Sequence, residues 1–171
     1  LFITSKKDFR PLARIDYVKL KELFKENDED TVDAIAYILA SPYHDDKKFL
    51  KFLKKHDYIL FRKFAKLADT TNTNEYTNVQ FKNRSWTNHM VWESIKMLPN
   101  YQKLVIVSGN GAFCSVVEAA KASNKPTKVV SFDGTLQAEL SNLAGSVVLL
   151  DKTYIFDSTL VKSKYTEEIN D

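Results

Sequence analysis

The chain has 171 residues, 44% hydrophobic and 27% charged, which is enough for one domain with a buried core, and no apolar run approaches the ~18 residues that a membrane span needs. Its formal charge of +3 favours an acidic partner only mildly. A single cysteine, Cys114, excludes an internal disulfide and a multi-thiolate metal site, and it suits a reducing intracellular compartment, cytoplasmic or organellar matrix.

Residues 1–4 read as a short strand. The chain opens on Leu rather than Met, so missing or processed initiating residues are expected, and Leu1-Phe2-Ile3 runs into Thr4-Ser5-Lys6-Lys7 without the apolar core of a secretory leader. Ile15, Val18, Leu20, Leu23 and Phe24 have helical spacing, with Asp16 at the start. After an acidic loop at 26–30, residues 32–40 form an apolar run stopped by Ser41-Pro42, as expected of a strand buried on both faces. Phe49, Leu50, Phe52 and Leu53 line a helix whose lysines (47, 48, 51, 54, 55) are read as a solvated face. A strand at 58–64 follows, then a polar, Asn/Thr-rich stretch at 68–80 read as a long loop. Helical spacing returns from 86 to 98, ended by Pro99-Asn100. A strand at 104–107, helix at 113–123, strand at 128–132, helix at 136–143 and strand at 147–150 complete a domain over 1–151. Residues 152–171 are set apart as a C-terminal tail or docking extension.

Strands alternating with helices predict a three-layer, Rossmann-like α/β fold with a mainly parallel central sheet. Such sheets bind ligands at the carboxyl ends of their strands. That rule places Thr4, Ser41, residues 64–66, residues 108–111 and Asp133-Gly134 on one rim.

The stretch "LVIVSGNGAF" (104–113) puts two of the chain's four glycines into one turn between a strand and a helix. Glycine supplies unusual backbone angles, and Asn110 can cap the helix that follows. Spacing alone therefore gives a structural account, since Gly-x-Gly is a weak signal.

The longer stretch "LVIVSGNGAFCSVVEAAKASNKPTKVVSFDGTLQAELSNLAGSVVLLD" (104–151) resembles the second half of NYN domains, the LabA-like branch of the PIN-like nuclease superfamily. There an apolar strand runs into Ser-Gly-Asp-x-Asp-Phe. "FITSKKDF" stands where the family has Phe-Ile-Asp-Gly-x-Asn. "DAIAYILASP", "KKFLKFLKKHDYILFRKF" and "SWTNHMVWESI" are similar to its second strand, its second helix with third strand, and its acidic third helix. The resemblance implies a PIN-like fold and a metal-dependent ribonuclease ancestry, with carboxylates holding Mg²⁺ or Mn²⁺ at one end of the sheet. Hard divalent cations take oxygen ligands, and clustered anions supply the affinity.

This chain departs from that pattern at the acids. The first-strand Asp falls on Thr4 and the following Asn on Lys7. The leading acid of the third helix falls on Thr87, or on Asn88 in a register shifted by one, and the two acids of the glycine turn fall on Asn110 and Ala112. Glu93 alone keeps a carboxylate, and Lys6 and Lys7 would oppose a cation. The resemblance thus implies a degraded site: no metal, and Mg²⁺ or Mn²⁺ only if Glu93 and other acids rebuild one.

His44, His56 and His89 lack metal-ligand spacing, and Cys114 is expected to pack as a small core residue. Lys6, Lys7, Arg10, Arg62, Lys63, Lys82 and Arg84 are the candidate RNA contacts around the rim. Trp86 is either a base-stacking platform or a core anchor, and Trp92 is read as core. The expected function is an RNA-binding or scaffolding component, inside a ribonucleoprotein assembly or beside other proteins, with no membrane contact. An atypical divalent-metal ribonuclease and a purely structural interaction domain are the alternatives.

Overall fold

A computed structural model describes residues 14–27, 30–40, 47–64 and 75–156. The expected first strand, and with it Thr4, Lys6, Lys7 and Arg10, lies outside the described residues, as does Ser41.

The elements run β1 (Arg14–Ile15), α1 (Tyr17–Glu22), β2 (Ala34–Ala40), α2 (Lys47–Lys55), β3 (Tyr58–Phe64), α3 (Glu75–Lys96), β4 (Leu104–Val107), α4 (Cys114–Ala122), β5 (Thr127–Phe132), α5 (Ala138–Leu143), β6 (Ser146–Leu150) and β7 (Ile155–Phe156). Single 3-10 turns precede β4, α4 and β7. Asp16 caps α1 by accepting the Lys19 N–H at 2.9 Å, a bond that satisfies one of the four orphan amides of a helix start.

β2 pairs with β3 in parallel, and β4, β5 and β6 form a second parallel ladder in that order. Parallel strands need covered faces, and alternate side chains of β4 and β5 supply two cores. Ile106 and Val129 face Phe113, Val116 and Val117 of the α4 segment, with Met90, Val91 and Ile95 of α3 against them. Val105, Val130 and Phe132 face the other way, toward Ile15 and Leu20. On that same side Ala34, Leu53 and Tyr58 join α1 and α2 to the β2–β3 pair. The molecule is therefore an α/β fold in three layers, with α1 and α2 on one face and α3, α4 and α5 on the other.

Three expectations need correction. Residues 75–80, read as loop, belong to α3, whose packed half carries the helix far past its own weak periodicity. Trp92, read as core, is 57% exposed with the Lys96 ammonium 4.6 Å from its ring centre, whereas Trp86 is 4% exposed. Arg14 and Ile15, before α1, form a two-residue strand paired antiparallel with Phe156 and Ile155, a partnership too short for any periodicity to announce.

Candidate functional site

A cleft of about 250 Å³ opens at the carboxyl ends of β4, β5 and β6. Val107, Ser108, Gly109 and Asn110 form one wall, and Ser131, Phe132, Thr135 and Gln137 form the next. Tyr37 of β2 with Thr87 and Met90 of α3 closes the far side. This is the rim that parallel-sheet topology selects.

The glycine turn is bonded to the turn after β5. Gln137 N–H donates to the Gly109 carbonyl at 2.9 Å, and Gly111 N–H donates to Gln137 Oε1 at 2.7 Å. Thr135 Oγ1 bonds the Phe132 carbonyl at 2.8 Å and lies 2.9 Å from Ser131 Oγ. Gly109 and Gly111 do not adopt positive φ; Gly134 does, at +72°. A β-carbon on Gly109 would overlap the Thr135 backbone carbonyl, so that glycine is required for room rather than for its torsion angle.

Asn110 holds extended angles (φ −80°, ψ 123°) and caps the turn, its Oδ1 accepting Ala112 N–H at 2.9 Å. Its own N–H donates to Ser108 Oγ at 3.2 Å. These bonds fix polarity. The amide oxygens of Asn110 and Gln137 each accept one backbone N–H, which identifies the oxygen and leaves each NH₂ as a donor. Ser108 likewise keeps its hydroxyl proton. The Tyr37 hydroxyl is buried and has no hydrogen-bond partner among the described residues. Burial, then the charge of Glu93, raises its phenol above the usual tyrosine value and keeps it a neutral donor.

Against that geometry, a family model for the NYN domain matches residues 1–151. The chain belongs to the NYN domain family. Its fold is also similar to that of a protein of unknown function from Vibrio parahaemolyticus RIMD 2210633, at TM-score 0.66 and 20% identity over 84% of this chain and 83% of that one. No curated protein matches it.

In this NYN domain, two positions that resemblance aligns with acids, Thr87 and Asn110, meet in the one cleft. Ala112 is exposed on the turn beside it. Glu93 is half-buried on α3 and outside the cleft lining, reaching it only through its field on Tyr37. Among the described residues the lining holds no carboxylate. Among the described residues no group of three His, Cys, Asp or Glu side chains could hold a metal ion. The described lining residues, neutral hydroxyls and side-chain amides, bring no anionic oxygen of the kind that gives a Mg²⁺ or Mn²⁺ site its affinity.

Arg62 is exposed on β3, while Lys63 on β3 and Lys82 and Arg84 on α3 are placed by their backbone. Trp86 takes the core-anchor role: it is buried, stacks on His89 at 5.2 Å and makes an edge contact with the Tyr37 ring at 5.8 Å. That contact also gives His89 a packing role. Cys114 is half-buried against the α4 core, and burial raises its thiol, the reverse of what a nucleophile needs. The residues that sequence reasoning missed are Tyr37, Ser131, Thr135 and Gln137. Tyr37 carried a signal, as the one hydroxyl in an apolar strand; Gln137 carried none, since its partner is 26 residues away.

Proposed function

We propose that this is a catalytically degenerate NYN domain of the LabA-like kind that binds RNA, as a component of a ribonucleoprotein assembly. The observation that supports the reading is the lining of the cleft: among the described residues it offers hydroxyls and side-chain amides and no carboxylate, at the rim where the resemblance puts the family's acids. An active relative needs a metal between its acids and the RNA phosphates. On this reading the NH₂ groups of Asn110 and Gln137 and the Ser108 hydroxyl donate to a phosphate oxygen directly, with no metal between. Lysines and arginines outside the cleft supply long-range attraction.

The test is incubation of single-stranded and structured RNA with the protein in Mg²⁺ or Mn²⁺, read for cleavage and for binding. No cleavage and EDTA-resistant binding are expected. Cleavage abolished by Glu93→Gln would overturn the reading in favour of a metal-dependent ribonuclease. Absence of binding at low salt would leave a protein-interaction domain.

A further inference from the structure

The cleft changes character with depth. Asn110 and Gln137, the donor amides, are exposed and form its mouth. Phe113, Phe132 and Leu150 are buried and form its floor, with Met90 of α3 beside them. Two hydroxyls are set among these apolar groups. One is Ser131, 3% exposed. Thr135 Oγ1 donates its proton to the Phe132 carbonyl, so the 2.9 Å contact between the two hydroxyls is donated by Ser131, whose oxygen keeps lone pairs that can accept. The other is the Tyr37 hydroxyl, buried and without a partner among the described residues, on a ring held by a 5.2 Å stack against Phe61. Among the described residues the lining carries no charge of either sign.

We propose that the floor of the cleft receives one unpaired nucleobase, read at its edge by the Tyr37 hydroxyl and Ser131 Oγ, while the attached phosphate stays at the mouth. The inference rests on the RNA-binding reading above and names what that site selects. An uncharged, largely apolar recess penalises a phosphate, because an anion gives up far more hydration on burial than a neutral group does. A nucleobase suits it: neutral and planar, apolar on its faces, with donors and acceptors around its edge. A buried hydroxyl without a partner leaves its desolvation uncompensated, and the edge of a base supplies the missing partner. About 250 Å³ is room for a single base rather than for a helix. In a duplex that edge is already paired, so the base comes from a single strand or from a free nucleotide.

Fluorescence anisotropy at one salt concentration tests it, with a short mixed-sequence single-stranded RNA, the same RNA as a duplex, and an abasic ribose-phosphate strand of the same length. The single strand and the abasic strand carry equal numbers of phosphates, so counterion release cancels between them. The single strand is expected to bind tightest. Tyr37→Phe should weaken it by roughly fivefold to tenfold, the effect of one lost hydrogen bond, and should leave the abasic strand unaffected. The same variant should melt no lower than wild type, which separates a ligand contact from support of the fold. Calorimetric titration with nucleoside 5′-monophosphates, against ribose 5-phosphate, distinguishes the sources of the base. Nucleotides bound where no RNA binds would support the base site and overturn the RNA reading. All three strands bound equally, or a Tyr37→Phe chain that binds the single strand as wild type does, overturns the base site and leaves the RNA reading standing. Binding of neither RNA nor nucleotide overturns both.

Discussion

Gly109 lies against the backbone carbonyl of Thr135 so closely that a β-carbon there has no room. The obstacle is main chain and cannot rotate aside. Gly109→Ala is therefore expected to cost about 2 kcal/mol or more, as overpacking of a tight contact does, and to lower Tm by several degrees. At Gly111 the nearest atom is the flexible Gln137 side chain, so Gly111→Ala should cost about 1 kcal/mol, the worth of one displaced hydrogen bond. Thermal melts in which both variants match wild type would show that the two turns are not packed together.

Trp86, left open in the sequence reading, is the core tryptophan and Trp92, read as core, is exposed, and the difference is measurable. Trp86→Ala should destabilise by roughly 3–5 kcal/mol, the range for a large aromatic removed from a core. Trp92→Ala should change stability by less than about 0.5 kcal/mol, as exposed positions do. Iodide quenching of the wild-type fluorescence should reach only the Trp92 component. Equal sensitivity of both tryptophans would contradict the burial described.

High pH should loosen the fold through its buried phenols. Burial raises Tyr37, Tyr58 and Tyr101 above the ordinary value of 10. A raised folded value means the neutral form is the one the fold prefers. That stability is complete below pH 10 and is lost as pH climbs through the raised values, because the unfolded chain ionises first. Tyr37→Phe should lessen the decline above pH 10. At neutral pH it should add up to about 1 kcal/mol, since a buried hydroxyl with no partner among the described residues disappears. A loss of stability at neutral pH would mean that the hydroxyl has a partner.

If RNA binds at the rim, its affinity should fall steeply with salt through counterion release. Changing Lys7, Arg62, Lys63 and Arg84 together to Ala should flatten the slope. Lys47, Lys51 and Lys55 on α2 form the control set, because α2 covers the opposite face from α3 and packs Leu53 into a core away from the cleft. Equal loss from both sets would mean general basicity rather than a site.

The fold was legible wherever one residue's neighbours in sequence are also its neighbours in space. β2, β4 and α4 announce themselves as apolar runs or helical spacing bounded by Pro, Gly or Asn, and β3 as an apolar run after Asp57; their ranges hold to within a residue or two. The site was half legible. Asn110 and Thr87 were visible as substitutions in a recognisable pattern, and both line the cleft. Gln137, Ser131 and Thr135 were not, because their roles arise only when the β4 and β5 turns are brought side by side. The phase of α3 was lost for a related reason. Trp86 and Trp92 are six residues apart, Met90, Val91 and Ile95 surround one of them in sequence, and only the Tyr37–Phe61 stack in the neighbouring strands decides which is covered. Glycine in a turn says that a side chain is unwelcome without saying whether torsion or space forbids it.

The two-rung ladder of β1 and β7, Arg14 with Phe156 and Ile15 with Ile155, gives the domain a mechanical polarity. The strands are antiparallel, so a pull applied to the chain at Arg14 and at Phe156 loads the outer rung first. Under such load the rungs open one at a time, as a zipper does, rather than sharing the force. The parallel ladders of β2–β3 and β4–β5–β6 are reached only after that clip has parted. Lys19 reinforces the clip from α1, its ammonium bonded to the Thr153 carbonyl at 3.0 Å and 4.4 Å above the Tyr154 ring. Tension applied at those two points would thus first release β7 from β1, leaving the cleft and its core standing.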